Sequence, residues 1–186
     1  MSEPRGERTR RALVDAALDL FARFGLAAVT VDAVVGAAGV AKGTFYVHFR
    51  DRDAFLCEIH REFHDRLEAK VARRGAEREA GIDRLWLGIV AYLDGCLAER
   101  ACKALLFDAR SESSLGEEVV RRNEKTSEAV ARELRAARHP SPRPTARLVV
   151  AMTAEVAFQE MRRGGKQTGL RNALRAMLRD LGGHAE

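Results

Sequence analysis

Between Arg8 and Phe24 the apolar residues Leu13, Ala17, Leu20, Phe21 and Phe24 recur at i, i+4, i+7, i+8 and i+11. That spacing puts them on one face of an amphipathic helix, and Gly25 ends it. Thr30 is placed to cap a short second helix running to Ala37, with Asp32 in its first turn, where the helix dipole favours a carboxylate. The Gly36–Gly39 stretch breaks the chain, and a third helix is expected from Lys42 to about His48. Asp51 offers an N-cap for a long helix whose stripe is Leu56, Ile59, Phe63, Leu67 and Val71. Beyond a break at 75–81, Ile82, Leu85, Trp86, Ile89, Leu93 and Leu97 keep helical spacing, and the apolar run 101–107 predicts a further helix. Residues 115–138 read as a charged, largely solvated helix that the proline-rich segment 140–144 is expected to end. Leu148, Met152 and Val156 mark a helix to Arg163, Gly164 and Gly165 interrupt it, and Thr168 is expected to cap a last helix. Nothing alternates with the period of two that a half-buried strand shows, and no internal repeat is evident. The expected fold is all-α, with about nine helices.

Composition narrows the class further. Hydrophobic residues at 46% and charged residues at 32% of 186 positions, with only Gly 15 and Pro 4, describe a globular chain and exclude collagen-like or disordered ones. Asp32, Asp83 and Asp94 interrupt the best apolar stretches, so none reaches the roughly 18 uncharged residues of a membrane span. The opening Met1–Gly6 segment has no apolar run of the secretory kind. Cys57, Cys96 and Cys102, odd in number and irregular in spacing, do not form a disulfide framework. The expectation is a cytoplasmic protein without membrane contact.

Net charge is +5, carried mainly by Arg, which suits bidentate phosphate contacts. The first 52 residues hold eight basic groups against six acidic ones, a balance compatible with DNA and equally with a solvated surface. Charge alone leaves both open. No Gly-x-Ser-x-Gly, P-loop, dinucleotide fingerprint or paired catalytic carboxylates occur, so neither an enzyme nor a cofactor is expected.

Two short helices joined through a glycine-containing turn and supported by an earlier helix are the geometry that lays a second helix in the DNA major groove. The segments Arg10-Arg11-Ala12-Leu13, Ala16-Ala17-Leu18-Asp19-Leu20-Phe21, Phe24-Gly25, Val29-Thr30-Val31-Asp32, Ala37-Ala38-Gly39-Val40 and Gly43-Thr44-Phe45-Tyr46-Val47-His48-Phe49 occur in that order. Together they resemble the N-terminal domain of the TetR family of transcriptional regulators, over roughly the first quarter to third of the chain. The resemblance implies residues 1–50 as a helix-turn-helix DNA-binding domain and 51–186 as a helical effector-binding and dimerisation domain. It implies a homodimer, a double-stranded operator of near-palindromic sequence, a small-molecule effector that releases it, and repression.

Residue by residue, Gly43 lets the helix backbone approach the groove, and Lys42 and Thr44 project from the same turn toward base edges or phosphates. Tyr46 and His48 resemble the family's phosphate-contacting pair, while Phe45 and Phe49 resemble its core anchors. Thr30 offers its hydroxyl and neighbouring N–H groups to a phosphate. Arg50 and Arg10 or Arg11 are candidate backbone clamps, whereas Arg5 and Arg8 read as solvated charges. Ala41 stands where the family often has a Ser cap, and Val47 where a larger aromatic or polar residue is common. A Val there offers only apolar contact, such as to a thymine methyl.

Elsewhere, Trp86, Tyr92, Phe107, Met152, Glu155, Phe158 and Gln159 are candidate ligand contacts in a cavity between helices, with core packing as the alternative. Glu155 is singled out because its apolar neighbours leave a carboxylate wanting a partner, either a cationic ligand group or a structural Arg. Leu170, Leu174, Met177, Leu178 and Leu181 form a stripe expected to join two copies, with intramolecular core as the alternative. Cys57, His60 and His64 share a helix face at metal-ligand spacing, yet no second Cys pair or H-E-x-x-H accompanies them, and packing is the favoured reading. Two alternatives stay open: a DNA-binding dimer without an effector, and a metal- or thiol-responsive sensor.

Overall fold

A computed structural model of the chain describes residues 4–111 and 113–182; residues 1–3 of the opening segment lie outside them. The described residues are all-helical: α1 (Arg5–Phe24), a single 3-10 turn (Leu26–Ala28), α2 (Val31–Ala38), α3 (Lys42–His48), α4 (Arg52–Gly75), α5 (Ile82–Ala98), α6 (Arg100–Ala109), α7 (Ser113–Ala136), α8 (Pro142–Arg163) and α9 (Thr168–Gly182). The chain divides into two compact units that do not follow sequence order. One takes the chain to Phe63 and returns for residues 101–118; the other comprises 64–100 and 119–186. The helix α4 contributes to both.

In the first unit, Leu13, Ala16 and Ala17 of α1 are buried and α1 packs on α2. Thr30 Oγ1 accepts the Ala33 N–H at 3.2 Å and so caps α2, as its position in the sequence predicts. Gly39, at φ 66°, ends α2 in the left-handed region that favours glycine and turns the chain into α3. Asp51 Oδ1 accepts the Ala54 N–H at 2.7 Å, the expected cap of α4. Phe24 departs from the pattern: it lies on the apolar face of α1, yet at the end of the helix it is 68% exposed.

In the second unit, α5 packs against α8 and α9. A Cβ at Gly95 would collide with the Leu67 side chain and one at Gly88 would stand 3.1 Å from Val71 Cγ1, so two glycines a heptad apart let α5 approach the second half of α4 closely. The helix α7 ends at Ala136, before the proline-rich segment, and two of the prolines then open α8. Pro142 and Pro144 fall in its first turn, where the missing N–H has no intrahelical acceptor to lose.

The α9 stripe splits. At about 100° per residue, Leu174 and Leu178 lie about 40° and 80° around from Leu170, and Met177 about 20° the other way. Leu174 and Leu178 are buried within the chain, Leu170 and Met177 are exposed, and Leu181 between them is half-buried. For Leu174 and Leu178 the intramolecular alternative therefore holds.

Candidate functional site

Helix α3 is held on one side by an aromatic cluster. Phe45, Phe49 and Phe55 are buried with ring centroids 4.7 to 5.4 Å apart. Three aromatic rings from α3, the turn after it and α4 fix the orientation of a seven-residue helix too short to be stable by itself. What the cluster leaves outside is Lys42, Gly43, Tyr46 and Val47, with Val47 81% exposed; Thr44 and His48 are half-buried.

Lys42 Nζ stands 2.6 Å from Asp32 Oδ1, an exposed pair joining α3 to α2, and it raises the ammonium's pKa through the hydrogen bond to Asp32. Arg50 is solvent-exposed, its Nε donating to Asp51 Oδ2 at 2.7 Å. Thr30 and Arg11 are exposed. Arg10 is placed differently. Its Nη2 donates to Glu58 Oε1 at 2.9 Å and Glu62 Oε1 at 2.7 Å, and its guanidinium lies 4.8 Å from the Phe49 ring centroid. Of the two arginines offered as clamps, Arg10 is thus engaged in tying α1 to α4. Sequence reasoning also missed Arg52, which donates to the carbonyls of Val29 and Leu26 and ties the 3-10 turn to the start of α4. No local pattern marks a residue whose partners lie more than twenty positions away.

The second unit encloses a cavity of about 540 Å³ between the second half of α4, α5, α7 and α8. Leu67, Val71, Leu85, Ile89, Val130 and Val149 supply its aliphatic surface, and Tyr92, stacked on His64, and Thr153 add polar groups. Burial pushes the Tyr92 hydroxyl well above its ordinary pKa, so it serves as a neutral hydrogen-bonding group. Of the aromatic and polar candidates from the sequence, Tyr92 lines this cavity; Trp86, Phe107, Met152, Glu155, Phe158 and Gln159 do not. Trp86 and Phe158 lie beside Arg175 and Arg162, and Phe107 beneath Arg110 at 3.8 Å.

Glu155 is exposed and accepts a hydrogen bond from Gln159 Nε2 at 2.7 Å. The buried carboxylate of α8 is Glu160, one turn further on. It receives Arg171 Nε at 2.6 Å, Arg171 Nη2 at 2.7 Å and the Gln167 N–H at 2.9 Å. Among the described residues, no group of three or more His, Cys, Asp or Glu side chains is arranged to hold a metal. Cys57 and His60 are buried, and burial raises the Cys57 thiol's pKa. None of the helices is long and apolar enough to cross a membrane among those described.

Residues 13–59, which carry the capped α2, the Gly39 turn and α3, match the family model described as bacterial regulatory proteins, tetR family. The matched segment, residues 13–59, is similar to the DNA-binding module of the TetR family. The HTH-type transcriptional repressor Rv1474c of Mycobacterium tuberculosis is 35% identical over 75 residues, 40% of each chain. The HTH-type transcriptional repressor KstR2 of Rhodococcus jostii is 37% identical over 83 residues, 43% of this chain and 40% of that one. The chain thus spans about two fifths of the length of these curated relatives. A TetR-family regulator structure from Syntrophomonas wolfei superimposes with a TM-score of 0.84 at 12% identity over 98% of both chains, a likeness of fold. Within residues 13–59 the likeness is to the helix-turn-helix segment of bacterial regulatory proteins, and over the rest of the chain it is one of fold.

Proposed function

We propose that this chain is a ligand-responsive repressor that binds a near-palindromic operator as a homodimer and releases it when a small molecule fills the cavity of the second unit. The observation that carries the reading is that cavity. Its volume falls within the roughly 300–1,000 Å³ of small-molecule sites, and His64, Leu67 and Val71 of α4 line it. The same helix, capped by Asp51 and opened by Arg52, follows directly on the proposed reading residues, so α4 is the natural lever. DNA recognition is assigned to residues 1–50. Within it, Tyr46, His48, Thr30, Arg11 and Arg50 take phosphates, and Lys42, Gly43 and Thr44 face the groove. Arg10 acts behind them as a positioning residue.

For dimerisation we place the shared face on the outward sides of α8 and α9. There Leu148, Leu170 and Met177 are exposed apolar side chains that a second copy would cover. A protein of this kind works in the cytoplasm beside its DNA.

The deciding experiment is footprinting on the protein's own genomic neighbourhood, repeated with compounds that raise its melting temperature in a metabolite panel. Linkage requires that operator DNA weaken effector binding by the factor by which effector weakens DNA binding. Calorimetry that found effector affinity indifferent to saturating operator would overturn the inducer reading.

A further inference from the structure

The cavity of the second unit is bracketed along α7 by two ionic clasps. At one end Arg84 forks onto Glu133, with Nη2 to Oε1 at 2.7 Å and Nε to Oε2 at 3.0 Å, and Glu133 also accepts the Gly81 N–H at 3.0 Å. Toward the other, Arg122 Nη1 donates to Asp65 Oδ1 at 2.9 Å and Arg122 Nη2 lies 3.3 Å from Glu68 Oε2, which Lys125 Nζ also approaches at 3.0 Å. The third carboxylate of the lining, Glu128, lies between Arg135 and Arg143, 3.4 Å from each. Every carboxylate of the lining therefore already meets cationic groups. Arg132 differs: it is exposed at the cavity on the same helix, and no ion pair engages it among the described residues.

We infer that the cavity takes an amphiphile with an aliphatic chain and an anionic head, the chain lying on the aliphatic lining and the head at Arg132 on the cationic edge of α7. The inference rests on the reading of this cavity as the effector site and names the ligand class. A cationic head would enter among Arg84, Arg122, Lys125 and Arg132 with no carboxylate left to receive it. A neutral head would leave Arg132 to water. An anionic head gains Arg132 and competes with Glu68 for Lys125, loosening the clasp that ties α7 to α4.

The test is calorimetry on the full chain with straight-chain alkanoates of 8 to 14 carbons, the matching alkanols and the matching alkyltrimethylammonium ions, all below micelle-forming concentrations. Each added methylene should tighten alkanoate binding about fourfold until the aliphatic lining is covered. At equal length the alkanoate should bind about threefold tighter than the alkanol and about tenfold or more tighter than the ammonium ion. The exposed substitution Arg132→Ala should remove most of the alkanoate's margin over the alkanol and leave the chain-length slope unchanged. Equal or tighter ammonium binding, a flat chain-length series, or a margin indifferent to Arg132→Ala would each overturn the inference. Dodecanoate that binds in this way yet leaves the operator complex intact would sink the effector reading alone. An ammonium amphiphile that binds at least as tightly as the alkanoate and releases operator would sink the anionic head alone.

Discussion

Gly43 occupies the first turn of α3, the helix proposed to read DNA, and nothing lies within 4 Å of where its Cβ would stand. The fold gives no reason for a glycine there, which costs roughly 0.5–1 kcal/mol of helix stability against alanine. We expect Gly43→Ala to raise the melting temperature while weakening operator binding at least tenfold. A variant that is stabilised and binds normally would show that the backbone does not approach the groove at this point. Val47, the most exposed large apolar side chain of α3, is expected to contact a thymine methyl. Replacing single thymines of the operator by deoxyuridine should weaken binding at one position per half-site, and Val47→Ala should erase that difference. Much at this scale was legible: Thr30 and Asp51 cap as their positions predict, and Phe45 and Phe49 anchor α3. The Glu58 and Glu62 partners of Arg10 and the exposure of Glu155 were not legible, because local spacing does not reveal which distant segments pack against a charged residue.

Among the elements, α9 is fastened to α8 and α5 by a charged knot. Arg171 forks onto Glu160, itself 1% exposed, and its Nη1 reaches Asp94 Oδ1 at 2.7 Å, where Lys166 also arrives at 3.0 Å. Removing one side of a buried pair strands the other, so Glu160→Ala should cost about 3–5 kcal/mol in a denaturant titration. A loss below about 1 kcal/mol would mean that Arg171 finds solvent.

Burial tends to raise the pKa of Asp94 and Glu99, but their cationic hydrogen bonds, Lys166 and Arg171 for one and Arg66 and Lys70 for the other, outweigh it and leave both below their ordinary values of 3.8 and 4.5. A depressed carboxylate stabilises the fold above its unfolded pKa and loses that contribution as pH falls through its folded one. The melting temperature should therefore decline from about pH 4.5 downward, and Asp94→Asn together with Glu99→Gln should flatten that decline. Helix existence was legible from the 3.6-residue period in the longer elements and from caps, breaks and an apolar run in the shorter ones. Helix starts were less so, because Pro142 and Pro144 signal a break by composition and an opening turn by position.

For the whole molecule, the split of the α9 stripe changes which substitutions report on assembly. Met177→Glu and Leu148→Glu should give a folded monomer in sedimentation with poor operator affinity, whereas Leu174→Glu should unfold the chain. A Met177→Glu, Leu148→Glu double variant that stays dimeric places the shared face elsewhere. With two copies reading together, half-sites should lie about 34 Å apart or a multiple of it, and affinity should fall steeply with salt as phosphate contacts release counterions. The reading module was legible here because its motifs are local and ordered; the cavity was not, because its lining comes from four helices whose neighbours periodicity cannot name.

The first compact unit also draws on residues 101–118, beyond a stretch that belongs to the other. A ribosome making this protein therefore delivers the whole reading segment well before Leu105, Leu106 and Leu115, side chains of that unit that end up buried. The order of synthesis is then not the order of completion. A nascent chain halted at Phe63 should be cut readily by protease, and one extended past Glu118 should resist, so that the first unit is complete only once the chain has passed its midpoint.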